Sequence, residues 1–184
     1  VERGGEVLLQ HAAGQCRTET RYDLASLTKP MATFTICYQA LKEGRVALED
    51  SMAAVFPALP PAMTLAHVMG HTAGFQAWIP LDGEAPRQQV LASERPVPPG
   101  LRAVYSDLGY LTLGFWLEAR LGADLPTLFE RVRQPYALGE ACFNPTDLTQ
   151  VAPTERGVSL GVVHDANCRR FGGVGGHAGL FGTA

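Results

Sequence analysis

The sequence lacks several features that mark specialised protein classes. No apolar run reaches 18 residues, so nothing predicts a membrane-spanning helix. There is no basic stripe and no block of like charge, and the formal net charge is −3, which argues against a nucleic-acid partner. With 46% hydrophobic and 18% charged residues, the chain is not of the disordered class. Its 184 residues therefore predict one globular domain.

Cysteine and lysine are also scarce. The four cysteines are Cys16, Cys37, Cys142 and Cys168. They form no close pair of the kind that zinc or redox motifs need, so we expect small buried apolar side chains. Thirteen of the fifteen basic residues are arginine, and only Lys29 and Lys42 are lysine. A lysine in this chain therefore calls for a chemical reason.

Two segments carry strong helical patterns. Apolar residues recur at steps of three and four from Ser26 to Glu43, and the segment from Asp107 to Leu121 is apolar nearly all round, which predicts a buried helix. Weaker signals predict short helices over 64–69, 87–92 and 126–133, and strands over 6–11 and 158–163. The residues before Gly4 are too few, on this reading, to complete a hairpin arm.

Ser26 and Lys29 stand three residues apart at the start of the first predicted helix. Residues at this spacing share a helix face, with Cβ atoms about 5–6 Å apart. The free N–H groups of the first turn favour an alkoxide or oxyanion and disfavour an ammonium, so we expect Lys29 to lean towards its neutral, proton-accepting form. A hydroxyl activated by a neighbouring amine is a recognised nucleophile. The alternative is a capping serine beside a solvated lysine.

A second polar group precedes the buried helix. Tyr105 could act as general acid or base if its phenol lies beside a cation, and Asp107 could accept a hydrogen bond from Lys29. The alternative is a core tyrosine with an aspartate that caps the helix.

Two other patterns do not predict a site. His67 and His71 have zinc-ligand spacing without the glutamate of the metalloprotease motif, and the Gly173–Ala178 fingerprint follows no strand. We expect no metal and no cofactor.

Four segments in this order, DLASLTKP, LAHVMGHTAGF, PPG…VYSDLGY and GGVGGHAGLFGTA, resemble the landmarks of a known superfamily. It is the superfamily of serine beta-lactamases and penicillin-binding proteins, in particular its class C-like branch of beta-lactamases, esterases and D-amino-acid-specific peptidases. The resemblance covers nearly the whole chain. It implies an α+β fold of the beta-lactamase/transpeptidase type, represented here mostly by the helical lobe and the first strands of an antiparallel sheet.

The resemblance also implies roles for individual residues. Ser26 would be the acylated nucleophile, with its backbone N–H as half of the oxyanion hole, and Lys29 would be its partner. Tyr105, rather than Ser106, would relay protons. Asp107 would contact substrate at a position where many relatives have asparagine, which favours ester or peptide substrates over beta-lactams.

The family's third motif is a Lys-Thr-Gly or His-Thr-Gly strand. By resemblance, the segment around His177 precedes that strand, so we expect His177 to be structural and the third motif to be absent. Residues 1–184 would then form a single incomplete domain. Residues 1–23 would be a sheet edge and 24–184 mainly a helical lobe, without the C-terminal strands and helix.

The sequence thus predicts a serine hydrolase that forms an acyl-enzyme with an ester, beta-lactam or D-amino-acid peptide. The alternative is a module that binds penicillin or a peptidoglycan peptide without turnover, or a degenerate domain. The expected partner is a small-molecule substrate, with no nucleic acid and no membrane segment. Without a leader peptide, the sequence favours the cytoplasm over the periplasm or secretion, which would require a processed start. It does not indicate an oligomeric state.

Overall fold

A computed structural model describes residues 1–183. In chain order, the strands are β1 (Glu2–Arg3), β2 (Glu6–Val7), β3 (Tyr22–Asp23), β4 (Cys142–Phe143) and β5 (Leu180–Gly182). The α-helices are α1 (Thr35–Lys42), α2 (Leu65–Met69), α3 (Pro86–Ala92), α4 (Asp107–Leu121), α5 (Leu125–Arg133) and α6 (Ala166–Arg169). None of the helices in this described part of the chain is long and apolar enough to cross a bilayer.

The helix predicted from Ser26 to Glu43 is present, but it has three geometries. A 3₁₀ turn at Ala25–Leu27 leads into a π-helix at Lys29–Phe34, and α1 follows. Pro30 lies in the first turn of the π-helix and has no N–H to donate along the helix, which weakens regular α-helical bonding there. π-Helical turns occur frequently at functional sites.

Helix α4 is the centre of the core. Its bounds match the predicted helix, and its side chains from Leu108 to Leu117 are buried on every side. The Ser106 hydroxyl caps its start by accepting the Gly109 N–H, and Gly122 ends it in the left-handed conformation. Three helices contact α4 directly, namely α2, α3 and α5, and α1 packs against α5. The predicted short helices at 64–69, 87–92 and 126–133 correspond to α2, α3 and α5.

The strands form two small antiparallel sheets. β1 pairs with β2, and β5 lies between β3 and β4. The prediction of a strand over 6–11 was too long, since β2 ends at Val7. The prediction that no hairpin arm precedes Gly4 was wrong, because Gly4 and Gly5 both adopt positive φ and turn Glu2–Arg3 back onto β2.

The predicted strand over 158–163 was also wrong. Gly157 and Gly161, at φ of +80° and +76°, place left-handed turns on either side of Val158. The Val162 N–H then bonds back to the Ser159 carbonyl rather than to a neighbouring strand. The three valines and one leucine of 158–163 resemble a strand, but the glycines in left-handed turns beside and within this segment cannot continue one.

The glycine-rich segment before β5 packs directly on α4. A Cβ on Gly176 would lie 2.0 Å from the Tyr110 carbonyl oxygen, so only glycine permits this approach. The Gly176 carbonyl accepts the Thr33 hydroxyl at 2.7 Å, and the Leu180 N–H donates to the Thr28 hydroxyl at 3.0 Å. These contacts bring the end of the described chain against the segment that carries Ser26 and Lys29.

The cysteines divide into two pairs by environment. Cys37 and Cys168 are buried, as expected, whereas Cys16 and Cys142 are partly exposed; all four are free thiols. Burial raises the pKa of Cys37 to about 12, and burial together with nearby carboxylates raises the pKa of Cys168 further. The two buried thiols therefore remain protonated and serve as packing groups.

Candidate active site

The structure brings the Ser26 and Lys29 side chains together. Lys29 Nζ lies 2.8 Å from Ser26 Oγ, and Lys29 is only 2% exposed, whereas Ser26 faces solvent. The residue before Ser26, Ala25, has φ of +47°, a left-handed conformation that is unfavourable for a side chain with a Cβ. The Asp23 carboxylate holds this turn by accepting the Ala25 N–H at 2.8 Å. Such local strain is concentrated at functional sites in proteins.

Lys29 has three oxygen partners from three parts of the chain. Besides Ser26, they are Asp107 Oδ1 at 2.7 Å and the His177 carbonyl oxygen at 3.3 Å. The contacts to Ser26 and to the His177 carbonyl are hydrogen bonds, whereas the contact to Asp107 is a close ion-pair contact. The helix terminus favours a neutral Lys29, whereas the Asp107 carboxylate stabilises a positive charge. The protonation state of Lys29 in the resting protein stays a prediction.

Tyr105 presents its ring face, rather than its hydroxyl, to the lysine. Lys29 Nζ lies 4.6 Å from the ring centroid, and Tyr105 is 56% exposed. Within residues 1–183, the Tyr105 hydroxyl forms no hydrogen bond with Ser26 or Lys29, so the relay role stays a prediction. The Ser106 hydroxyl is engaged elsewhere, donating to the Gln76 carbonyl at 2.6 Å while it caps α4.

An open cleft of about 560 Å³ adjoins these groups, a volume suited to a small-molecule ligand. Its lining is predominantly apolar and aromatic. The residues that line it are Leu24, Ser26, Leu27, Lys29, Pro30, Phe34, His71, Tyr105 and Tyr110. The nucleophile candidate therefore lies at the edge of a cleft whose walls favour contact with carbon-rich groups.

His71 is a site residue that the sequence analysis missed. Its ring lies 4.6 Å from that of Tyr105 and 4.8 Å from that of Tyr110, and its Nδ1 accepts the Ser106 N–H at 3.0 Å. His67, its partner in the zinc-like spacing, instead bonds Thr64 at the start of α2. The two rings thus have separate structural partners. The signal in the sequence is the spacing of His67 and His71, which by itself indicates only a metal motif.

Asp165 and His177 form a second group that the sequence analysis did not assign to the site. His177 is 1% exposed, its Nε2 lies 2.8 Å from Asp165 Oδ1, and its carbonyl binds Lys29. Burial raises the pKa of Asp165, but the hydrogen bond and charge of His177, the Cys168 N–H and the charge of Lys29 together lower it below its ordinary value. His177 is thus buried and bonded within the fold, and its carbonyl contacts the catalytic candidate Lys29; its purely structural role stays a prediction.

Ligand atoms of Asp107, Asp165 and His177 lie within 4.8 Å of one another, a separation that could suit a metal ion. However, the Lys29 amine lies 2.7 Å from Asp107, and the other two residues already bond each other. All three residues therefore already have partners within the protein. The Gly173–Ala178 fingerprint lies in turns packed on α4, a geometry unlike the strand-to-helix turn that binds dinucleotides.

Comparisons with known proteins show which family and fold the chain resembles. A protein from Escherichia coli (strain K12), provisionally named D-alanyl-D-alanine carboxypeptidase, is 28% identical over 96% of this chain and 51% of its own length. The beta-lactamase/D-alanine carboxypeptidase of Yersinia pestis superposes with a TM-score of 0.69 at 22% identity, covering 91% of this chain and 52% of that one.

A class C beta-lactamase from Rhodobacter sphaeroides superposes with a TM-score of 0.70 at 21% identity, over 92% of this chain and 50% of that one. The predicted fold, a part of the beta-lactamase/transpeptidase type, is thereby confirmed. The chain spans about half the length of the curated relatives it matches. The family model described as Beta-lactamase matches residues 1–184, and the chain therefore belongs to the beta-lactamase family.

Proposed function

We propose that the whole protein is a serine hydrolase in which Ser26 becomes acylated by an ester, amide or beta-lactam carbonyl. The observation that carries this proposal is the 2.8 Å contact between Ser26 Oγ and Lys29 Nζ at the edge of an open cleft. A solvated lysine would project away from the helix, whereas this one is buried and directed at the hydroxyl. Arginine could not serve as the base, because it stays protonated in proteins.

In the first step, which requires the form of the protein with a neutral Lys29 amine, Ser26 Oγ attacks the carbonyl carbon while its proton passes to that amine. The carbonyl becomes a tetrahedral oxyanion, which the Ser26 N–H helps to stabilise. Collapse of this intermediate breaks the bond to the leaving group, which takes up a proton by way of Tyr105. Water then attacks the acyl carbon and gives its proton to the same groups. Collapse of the second tetrahedral intermediate breaks the bond to Ser26 Oγ, which takes that proton and restores the free hydroxyl.

Asp107 orients this base. Its carboxylate at 2.7 Å and the His177 carbonyl at 3.3 Å fix two directions around Lys29 Nζ, leaving the third for Ser26. The carboxylate also stabilises the ammonium that forms when Lys29 accepts the serine proton. Because an aspartate cannot donate a hydrogen bond to a substrate carbonyl, we propose esters or peptides, including D-amino-acid peptides, as substrates in preference to beta-lactams.

The experiment is covalent labelling of the full-length protein with a fluorescent penicillin and with a p-nitrophenyl ester. Intact-mass spectrometry followed by peptide mapping should place the acyl group on Ser26. Ser26→Ala should abolish the adduct, while Ser159→Ala, at an exposed serine in a loop, should leave it unchanged. Equal labelling of Ser26→Ala would overturn the assignment. Release of p-nitrophenol in many equivalents indicates turnover, whereas a single equivalent and a stable adduct indicates the binding module.

A further inference from the structure

His71 is held in place from both its backbone and its ring. It follows the last turn of α2 with φ of +58°, where its carbonyl accepts the Val104 N–H at 2.9 Å. Its ring Nδ1 accepts the Ser106 N–H at 3.0 Å. A backbone N–H can only donate, so Nδ1 carries no proton, and the neutral ring bears its proton on Nε2. His71 therefore bonds the two residues on either side of Tyr105, which are Val104 and Ser106.

The ring also links a fixed tyrosine to an exposed one. Tyr110 is buried and donates its hydroxyl to the Met69 carbonyl at 3.2 Å, and burial raises its pKa to about 12. On the other side of His71 lies Tyr105, which is 56% exposed and faces the cleft. The Tyr105 ring packs against His71, at 4.6 Å between centroids, and against Lys29. The position of Tyr105 thus depends on the neutral imidazole.

The charges around His71 oppose its protonation. Burial lowers its pKa, the positive charge of Lys29 lowers it further, and Asp107 acts in the opposite direction. The other titratable groups against the ring are Tyr105 and Tyr110. A proton on Nδ1 would turn that atom from an acceptor into a donor that faces the Ser106 N–H. Protonation therefore breaks the bond that aligns Tyr105 and the start of α4.

We propose that neutral His71 is a positioning residue that holds Tyr105 and the Ser106–Asp107 turn against Lys29, and that acid inactivates the site by protonating His71. The part of this proposal that concerns activity rests on the proposed hydrolase function. The part that concerns geometry and protonation does not.

Two substitutions separate the properties of the ring. His71→Asn keeps an acceptor near the position of Nδ1, cannot be protonated, and tolerates the left-handed φ. His71→Phe keeps an aromatic ring between the tyrosines but has no acceptor. Using p-nitrophenyl ester hydrolysis by the full-length protein, we expect His71→Phe to lower kcat between about 10- and 100-fold at neutral pH with little change in KM. His71→Asn should recover most of that loss.

The pH profile gives the decisive kinetic readout. The wild type should lose activity in the acid range with a midpoint below 6.5, because the pKa of His71 is lowered from that ordinary value. His71→Asn should keep its activity further into the acid range. Equal acid limbs in the two proteins, or a kcat for His71→Phe equal to that of the wild type, would overturn the proposal. Thermal midpoints of all variants identify any that are unfolded.

A readout without substrate separates this proposal from the hydrolase assignment. Long-range ¹H–¹⁵N NMR of the protein labelled at histidine should show His71 with its proton on Nε2 at neutral pH. On acidification, the Tyr105 ring signals should shift together with the His71 protonation. A proton on Nδ1 at neutral pH, or Tyr105 signals that do not follow His71, would refute the positioning role even if Ser26 is acylated. Failure of Ser26 labelling with these shifts intact would refute the hydrolase function alone.

Discussion

The ion pair between Lys29 and Asp107 should be strongly coupled, and a double-mutant cycle can measure that coupling. The two side chains are 3% and 21% exposed and 2.7 Å apart. Breaking a fully buried pair costs about 3–5 kcal/mol, because one charge is left without a partner. Water reaches the Asp107 carboxylate, so we expect about 3 kcal/mol for Asp107→Ala, at the lower end of that range. Asp107→Asn keeps an oxygen acceptor and should cost about 1–2 kcal/mol.

The cycle combines Asp107→Ala with Lys29→Met and measures the free energy of unfolding in urea by circular dichroism. Asp107→Ala also removes a favourable charge from the first turn of α4, but this contribution cancels in the cycle. The expected coupling is about 2 kcal/mol. As a control, the exposed pair Arg120–Asp50, 3.4 Å apart, should give less than about 1 kcal/mol. A Lys29–Asp107 coupling no larger than the control would refute the argument that this pair is desolvated and geometrically fixed.

Two further predictions concern the segment that supports Lys29. Gly176→Ala should destabilise the protein by about 3 kcal/mol, since its Cβ would meet the Tyr110 carbonyl, whereas Gly172→Ala, in open space at φ of +68°, should cost about 1 kcal/mol in urea unfolding. The lowered pKa of Asp165 implies stability that is present above its ordinary value of 3.8 and is lost as the pH falls through the folded-state value. Thermal unfolding between pH 7 and pH 2 should show this loss, and Asp165→Asn, which keeps an acceptor for His177, should flatten the curve. A Gly176→Ala protein as stable as Gly172→Ala, or parallel curves for Asp165→Asn and wild type, would contradict the respective argument.

The helices were predictable because their signals are local. The buried helix from Asp107 to Leu121 has apolar side chains on every face, a serine cap and a terminal glycine, and each of these acts within a few residues. The sheet was not predictable in the same way. β5 pairs with β3 across some 160 residues, and its sequence, Leu-Phe-Gly, is too short to show a period. Only the tertiary contacts make it a strand.

The site residues also divide into those placed by local spacing and those placed by long-range contacts. Ser26 and Lys29 are one helical turn apart, so their contact follows from spacing alone, and the addition of Asp107 followed from the chemistry of an unusual lysine. The contacts of His71 and His177 at the site escaped prediction because each involves a backbone group. His71 accepts the N–H of Ser106, and His177 offers its carbonyl to Lys29 from 148 residues away. Side-chain patterns in a sequence carry no record of which backbone groups meet.

These backbone contacts explain why the segment around Gly176 matters to the chemistry at Ser26. The His177 carbonyl reaches Lys29 only because residue 176 has no side chain and can lie directly against α4. The same helix begins with Asp107, the other fixed partner of the lysine. One rigid element, α4, therefore sets two of the three directions around Lys29 Nζ, and the turn at Ala25 sets the third. A substitution that tilts α4 should disturb the base and leave the Ser26 backbone in place, so acylation should slow before the protein unfolds.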